Sequence, residues 1–199
     1  MAFVGKSVLV TGASGGIGAA VALKFAREGA AVALLGRNQD KLQAVTAHIR
    51  RTVGASCAPL APLACDLTVE LDVERAVTEA VAVLNKRLDV LVNNAGVLVG
   101  GAAHTTLTST WDKNFDTNAK GAFLMLRACS PHLITTQGNI VNVSSVTGMQ
   151  SFANAMAYCA SKAAVDMMTK CAALDLAPSK VRVNSINPGV IRSELQKTG

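Results

Sequence analysis

Two side chains in the last third of the sequence have the types and spacing for proton transfer. Tyr158 is the only tyrosine of the chain, and Lys162 follows it by four residues, so both lie on one face of a predicted helix. A free phenol has a pKa of about 10, and a nearby ammonium favours its ionised form, which would suit acid–base chemistry at neutral pH. By itself the pair equally fits a packed tyrosine beside a lysine that reaches solvent.

A glycine-rich stretch near the N-terminus could bind a phosphate. Residues 11–18 read Thr-Gly-Ala-Ser-Gly-Gly-Ile-Gly and lie between an apolar run, 7–10, and a segment with helical patterning. A strand, a glycine turn and a helix N-terminus together form an anion site, because glycine permits positive φ and the first N–H groups of the helix are free. The spacing differs from the commoner Gly-x-Gly-x-x-Gly, and an ordinary turn is the alternative.

The surroundings of Tyr158 favour chemistry over packing. Ser145 ends a predicted strand shortly before Tyr158, where the following loop can turn the serine hydroxyl toward the helix. None of the three histidines (His48, His104 and His132) lies near a Ser or Cys motif. Serine, tyrosine and lysine beside a dinucleotide-binding turn, without a histidine base, indicate hydride transfer rather than acyl transfer.

Composition excludes several other classes. Half of the 199 residues are hydrophobic (50%) and 16% are charged, which suits one domain with a large core. The five cysteines are scattered without metal-ligand spacing, so we expect reduced thiols and no metal site. The net charge of +6 comes without a basic stripe, which argues against a nucleic-acid partner. No segment has the apolar length to span a bilayer, and we expect a cytoplasmic protein with no membrane partner.

Apolar, β-branched runs alternate with amphipathic segments along the chain. Strands are predicted near 6–11, 31–35, 58–64, 88–92, 138–144 and 181–187, and helices near 16–28, 38–52, 69–86, 106–134 and 154–177. Such alternation indicates right-handed βαβ units. We therefore expect a doubly wound, Rossmann-type α/β fold, a parallel sheet with helices on both faces, as a single domain over residues 1–199.

Every predicted strand ends in small or polar residues. After the glycine turn these ends are Gly36-Arg37, Asp66-Leu67, Asn93–Gly96, Ser144-Ser145 and Asn187–Gly189. Ligands of doubly wound sheets bind beyond the carboxyl ends of the strands, near the point where the strand order reverses. The sequence therefore predicts a ligand site along this edge.

Taken in order, these motifs resemble those of the short-chain dehydrogenase/reductase family in its common form. The match rests on residues 11–18, Asp66-Leu67, Asn93–Gly96, Asn118 with Gly121, 140–145, Tyr158–Lys162 and Asn187–Gly189 with Ser193. It covers residues 11–193, nearly the whole chain. The resemblance implies an oxidoreductase that interconverts an alcohol and a ketone or aldehyde, with a small-molecule alcohol or ketone as substrate partner.

The resemblance also implies roles for single residues. Tyr158 would exchange a proton with the substrate oxygen, and Ser145 would hydrogen-bond that oxygen, with Ser144 as a structural neighbour. Lys162 would lower the pKa of Tyr158 and hold the nicotinamide ribose. Asn118 would hold a water that connects Lys162 to solvent. The residues implied in cofactor binding are Gly12, Ser14, Gly15, Gly16, Ile17, Gly18, Arg37, Asn38, Asp66, Leu67, Asn94, Ala95, Gly96, Tyr158, Lys162, Pro188, Gly189, Val190 and Ile191.

Within that set, Asp66 would bond the adenine amino group, and neighbouring Asn93 would stabilise the sheet. We expect NADP(H) rather than NAD(H), because an NAD-preferring turn places a carboxylate at the end of the second strand. This chain has Gly36-Arg37 there, and a guanidinium can bond a 2′-phosphate. A merely solvated Arg37 is the alternative, and many NADP-using relatives carry a second basic residue where this chain has Gly15.

The resembled family continues past this chain with a further strand and a substrate-lid region. We therefore expect a shortened form that is a poor enzyme by itself, from a family whose full-length members are homo-oligomers. The alternative function is a dinucleotide-binding protein with impaired catalysis and a regulatory role or none.

Overall fold

The computed structural model describes residues 1–191, and its centre is a parallel β-sheet. The strands are β1 (Ser7–Thr11), β2 (Ala31–Gly36), β3 (Leu60–Ala64), β4 (Val90–Asn93), β5 (Asn139–Val143) and β6 (Arg182–Ile186). The α-helices are α1 (Gly16–Arg27), α2 (Gln39–Val53), α3 (Glu70–Val83), α4 (Thr108–Phe115), α5 (Gly121–Thr136) and α6 (Met156–Leu176). The strand order is β3-β2-β1-β4-β5-β6, with every neighbouring pair parallel.

Both faces of the sheet are covered, because side chains along a strand alternate between two helical layers. In β1, Val8 and Val10 are buried among residues of α1 and α2. Leu9 points the other way and is buried among residues of α3 and α5. Continuous apolar strands between two helical layers are typical of parallel sheets. The predicted doubly wound, Rossmann-type α/β fold is confirmed.

One predicted element differs from the structure. The sequence predicts a single helix over 106–134, but α4 ends at Phe115, a π-helical turn spans Asp116–Lys120, and α5 begins at Gly121. A π turn inserts about one extra residue into a helix, a change too small for apolar periodicity to show. The other predicted helices and strands are present, with ends shifted by a few residues.

The topology places one crevice at the carboxyl edge of the sheet. The strand order reverses between β1 and β4, so the segments that follow these two strands face each other across that edge. This is where doubly wound sheets bind ligands. None of the helices within residues 1–191 is long and apolar enough to cross a membrane.

Candidate active site

The glycines of the turn after β1 allow the backbone to pack closely against its neighbours and leave part of the turn accessible to a ligand. Gly12 has φ of +64°, and a Cβ there would lie 2.8 Å from the Ala95 Cα. A Cβ on Gly18 would collide with the Gly12 carbonyl oxygen. At Gly15 a Cβ would meet nothing within 4 Å, so this part of the turn is open to the crevice and its backbone is accessible to an anion at the start of α1.

Thr11 and Asn94 hold that turn against the end of β4. The Asn94 side-chain Nδ2 donates to the carbonyl oxygens of Thr11 and Gly12, at 2.9 and 3.3 Å. In return the Thr11 Oγ1 accepts from the backbone N–H groups of Asn94 and Ala95, each at 3.0 Å. Sequence reasoning included Asn94 but missed Thr11, whose signal was a polar residue at the last position of a buried strand.

Tyr158 and Lys162 are buried in the first two turns of α6, with 5% and 4% of their surfaces exposed. The Lys162 Nζ donates to the Val143 carbonyl oxygen at the end of β5, at 2.9 Å, and lies 5.9 Å from the centre of the Tyr158 ring. Burial lowers the pKa of Lys162 to about 8, although the Asp166 carboxylate acts in the opposite direction. An ammonium next to the phenol is therefore present at neutral pH.

The pKa of Tyr158 moves against the sequence-based expectation. Burial raises it, because the charged phenolate loses solvation, while the Ser145 hydroxyl acts in the opposite direction and the Cys159 side chain adds a small increase. The net shift is upward, whereas the sequence predicted that Lys162 would lower it. The cause of the upward shift is the burial of the phenol, while the Lys162 Nζ lies 5.9 Å from the centre of the Tyr158 ring.

Ser145 lies directly after β5 and is 7% exposed. Its Oγ accepts a hydrogen bond from the Thr147 backbone N–H at 3.2 Å, which leaves the hydroxyl proton free to donate. Neighbouring Ser144 points elsewhere, since its Oγ donates to the Lys162 carbonyl oxygen at 3.1 Å. The structure thus gives the two serines different partners, and Ser145 is the one that acts on Tyr158.

Asn118 lies in the π turn and is 1% exposed. Its Oδ1 accepts from the Val97 N–H at 2.7 Å, and its Nδ2 donates to the Val97 carbonyl oxygen and the Ser161 Oγ. A Cβ on Gly96 would lie 3.2 Å from the Asn118 Oδ1 and 3.5 Å from the Lys162 Nζ. The Asn118 amide and the Lys162 ammonium therefore flank the same backbone segment.

Asn93, at the end of β4, is a buried link within the sheet rather than part of the crevice. Its Nδ2 donates to the Asn142 Oδ1 of β5 at 3.0 Å and to the Ala122 carbonyl oxygen at 3.2 Å. This agrees with the stabilising role expected for it.

A cavity of about 920 Å³ runs along the carboxyl edge. It brings together most of the residues expected from the sequence, which are Gly12, Ser14, Gly15, Gly16, Ile17, Arg37, Asp66, Leu67, Asn94, Ala95, Gly96, Ser145, Tyr158, Lys162, Pro188, Gly189, Val190 and Ile191. Gly18, Asn38 and Asn118 do not line it. Ser193 lies outside the residues that the structure describes. Gly18 packs beneath the turn, Asn118 lies behind Gly96, and Asn38 borders an adjoining cleft.

The adjoining cleft is basic and lies beside the glycine turn. Its walls are Ser14, Arg37, Asn38 and Lys41. The Asn38 Oδ1 caps α2 by accepting from the Lys41 N–H at 2.9 Å. Gly36 contributes no side chain to this region, and a Cβ there would lie 3.4 Å from the Ser14 Oγ.

These features fit a dinucleotide. The open turn at Gly15 can receive a diphosphate at the N-terminus of α1. Asp66 is held at the far end of the cavity, where its Oδ1 accepts from the N–H and Oγ1 of Thr68 at 2.9 and 2.8 Å. The hydroxyl and ammonium groups of Ser145, Tyr158 and Lys162 lie along the same cavity.

Comparison with known proteins agrees with this arrangement. The family model for short chain dehydrogenases matches residues 6–199. A cyclopentanol dehydrogenase from Comamonas testosteroni is 41% identical over 191 residues, covering 96% of this chain and 74% of the relative. An NAD-dependent glycerol dehydrogenase from Listeria innocua is 38% identical, covering 96% and 73%.

Solved structures give the same result. A short-chain type dehydrogenase/reductase from Mycobacterium marinum superposes with a TM-score of 0.90 at 36% identity, covering 97% of this chain and 76% of that one. A xylitol dehydrogenase solved with NAD⁺ bound also has a TM-score of 0.90, at 38% identity, covering 95% and 72%. The chain therefore belongs to the short-chain dehydrogenase/reductase family, and it is an oxidoreductase of that family.

Proposed function

We propose that this protein transfers a hydride between NADP(H) and an alcohol or carbonyl substrate, with Ser145, Tyr158 and Lys162 as its catalytic residues. The observation that carries the proposal is that these three side chains and the open glycine turn line one cavity at the carboxyl edge of the sheet. When bound, the nicotinamide supplies or accepts the hydride. The protein then has to orient the substrate oxygen and exchange its proton.

Tyr158 and Ser145 divide that work. In carbonyl reduction the Tyr158 hydroxyl gives its proton to the substrate oxygen, and in alcohol oxidation the phenolate takes it back. Burial holds the phenol in its protonated form, which suits the acid role. The Ser145 Oγ already accepts from the Thr147 N–H, so its proton can be donated to the same substrate oxygen.

Lys162 supports the charge that Tyr158 gains when it loses its proton. Its Nζ is fixed by the Val143 carbonyl oxygen, which keeps the ammonium beside the phenol at low conformational cost. Asn118 lies beside this group, since its Oδ1 and the Lys162 Nζ face the same side of Gly96, and we assign to it the water that joins Lys162 to solvent. The other end of the cofactor is assigned to Asp66, whose carboxylate would accept from the adenine amino group.

The choice of NADP(H) rests on the basic cleft. Arg37 and Lys41 border it together with the Ser14 hydroxyl, and the end of β2 is Gly36 rather than a carboxylate. A 2′-phosphate on the adenosine ribose would meet a guanidinium fork there. The glycerol dehydrogenase relative is NAD-dependent by name, so the assignment depends on Arg37 and is tested through it.

For the substrate we propose an uncharged, apolar secondary alcohol. Among residues 1–191, the charged side chains that line the cavity are Arg37, Lys41, Asp66 and Lys162, all of which have roles above. The remaining walls include Leu98, Val146, Phe152 and Val190. Cyclopentanol is the natural first probe, because the dehydrogenase of that alcohol is 41% identical to this chain.

The test is a spectrophotometric assay of reduced nicotinamide with cyclopentanol, glycerol and 2,3-butanediol, each with NADP⁺ and with NAD⁺. We expect turnover of cyclopentanol to exceed that of glycerol, with NADP⁺ preferred. A parallel titration follows NADPH fluorescence. Tight NADPH binding without turnover of any alcohol would instead support the alternative, a dinucleotide-binding protein with impaired catalysis.

A further inference from the structure

Asp166 lies one turn after Lys162 on α6 and has no part in the chemistry proposed above. Its two carboxylate oxygens, Oδ1 and Oδ2, accept from the Asn187 Nδ2 at 3.1 and 3.0 Å. Asn187 directly follows β6 and precedes the Pro188-Gly189 turn that lines the cavity. The contact therefore joins the catalytic helix to the last strand at the active-site edge.

The same Asn187 amide reaches the catalytic loop. Its Nδ2 also donates to the Ser145 carbonyl oxygen, at 3.0 Å. A carboxylate can only accept hydrogen bonds. Asp166 therefore orients the Asn187 amide so that its NH₂ group, rather than its oxygen, faces the carboxylate. In that orientation one N–H faces Asp166 and the other faces Ser145. If the Asn187 amide group rotated, the bond from its Nδ2 to the Ser145 carbonyl oxygen would be lost.

The backbone on either side of Ser145 depends on the same region. The Ser144 N–H donates to the Ile186 carbonyl oxygen at 2.8 Å, and the Val146 N–H donates to the Pro188 carbonyl oxygen at 3.0 Å. The loop then passes directly over Asp166, since any side chain at Gly148 would collide with the Asp166 carboxylate. Ser145 thus sits between a strand end and a carboxylate that both restrict its backbone.

We propose that Asp166 is a positioning residue for Ser145 and that it acts through Asn187. The inference rests on the proposed function for its catalytic consequence, though its structural part is independent of it. Without the carboxylate, the Asn187 amide keeps a 3.4 Å bond from the Ser185 Oγ to its Oδ1 but loses the acceptor that orients its NH₂ group. The Ser145 carbonyl then loses a fixed donor, and the Ser145 hydroxyl is less well oriented toward the substrate oxygen. The same carboxylate also favours the charged form of Lys162, so it acts on two of the three catalytic side chains.

The structural part is tested by amide hydrogen exchange, which needs no substrate. In Asp166→Ala, the N–H groups of Val146 and Gly148 should exchange about tenfold faster, as expected for the loss of a hydrogen bond to a charged group. The matched control is Asp175→Asn, which removes a carboxylate from an exposed position on the same helix. It should leave both amides as slow as in the wild type.

Exchanging the residues at positions 166 and 187 distinguishes positioning of Ser145 from a purely structural contact between α6 and the end of β6. In the double variant Asp166→Asn with Asn187→Asp, the amide and the carboxylate can still bond each other, but position 187 has no donor for the Ser145 carbonyl. We expect the melting temperature to recover relative to Asp166→Ala, while exchange at Val146 stays fast. The kcat for the cyclopentanol probe should stay about tenfold below the wild type, with the NADPH Kd nearly unchanged.

The outcomes are distinct. Slow exchange in Asp166→Ala, or recovery of kcat together with the melting temperature in the double variant, would overturn the positioning role. If the Val146 and Gly148 amides exchange fast in Asp166→Ala but its turnover is unchanged, Asp166 orders the loop without affecting the reaction. If the wild type has no turnover but the exchange pattern follows the expectation, the positioning role stands and the proposed function fails.

Discussion

Tyr158 is the side chain on which the proposed chemistry depends most directly. In Tyr158→Phe the ring and its packing remain, but the proton donor is lost, and we expect turnover to fall by about 10²- to 10⁴-fold. NADPH binding, followed by fluorescence, should be nearly unchanged. The comparison variant is Ser144→Ala, which removes a hydroxyl bonded to the Lys162 backbone and should cost far less activity. Residual turnover of Tyr158→Phe close to the wild-type rate would move the proton donor to another group.

Arg37 is the side chain on which the proposed preference for NADP(H) over NAD(H) depends. In Arg37→Asp the fork that faces the basic cleft is replaced by a carboxylate, which repels a 2′-phosphate and accepts from ribose hydroxyls. We expect kcat/KM with NADP⁺ to fall by about tenfold to a hundredfold relative to NAD⁺. Arg50→Asp, the same charge change at an exposed position of α2, is the control and should keep the original preference. If both variants behave alike, Arg37 does not select the cofactor.

Among the elements, the junction of α4 and α5 carries the least expected feature of the structure. Asn114 and Asn118, one turn apart, each bond both backbone groups of a facing residue, Val99 and Val97 respectively. The two amides hold the segment after β4 against the helix. Asn118 also donates to the Ser161 Oγ, which donates to the Tyr158 carbonyl oxygen. Only Asn118 is therefore linked to the catalytic helix.

This difference gives a paired prediction. Asn114→Ala and Asn118→Ala each leave the partly buried N–H and carbonyl groups of one valine without their side-chain partners. Each should lower the free energy of unfolding by about 1–3 kcal/mol. Urea denaturation measures this loss. Only Asn118→Ala should also lower kcat, because it alone borders Lys162 through Gly96. Equal effects of the two variants on kcat would reduce Asn118 to a structural residue.

The same junction shows where sequence reasoning stops at the level of elements. The strands and helices follow from the alternation of apolar runs with amphipathic segments, because strands buried on both faces read as continuous apolar runs. The π turn does not, since the bonds that Asn118 makes within it go to Val97, on a segment that contacts the helix only in the folded protein. An asparagine within a predicted helix was the only local sign of it.

For the molecule as a whole, the sequence predicted the cavity at the carboxyl edge of the sheet but not the ion pairs around a buried carboxylate at the opposite edge. Polar residues at every strand end indicated the site, and the fold placed most of them in one cavity. Asp89, just before β4, had no such pattern around it, yet it is 5% exposed. Its carboxylate accepts from the Lys6 Nζ, the Ser7 N–H and the Arg87 guanidinium at 2.6–3.1 Å. Arg87 is a neighbour in sequence, but Lys6 and Ser7 reach Asp89 only in the folded protein.

The charges around Asp89 make the stability of the molecule depend on pH. Burial raises the pKa of Asp89, but hydrogen bonds from Arg87, Ser7 and Lys6 outweigh burial and hold it below the usual value. A carboxyl group with a lowered folded-state pKa stabilises the protein fully above its unfolded-state pKa, about 3.9. That contribution is lost as the pH falls through the folded-state pKa.

Asp89→Asn should therefore lower the free energy of unfolding at neutral pH by about 1–3 kcal/mol. The gap to the wild type should begin to narrow as the pH falls below about 4 and should close once the pH is below the folded-state pKa of Asp89, because the wild-type carboxyl group is then neutral as well. Urea denaturation over a pH series measures this, with Asp175→Asn as the exposed control. Since Asp89 fastens the edge opposite the catalytic one, kcat at neutral pH should be unchanged in the folded variant. A gap that stays constant with pH would mean that shape, rather than charge, makes Asp89 important.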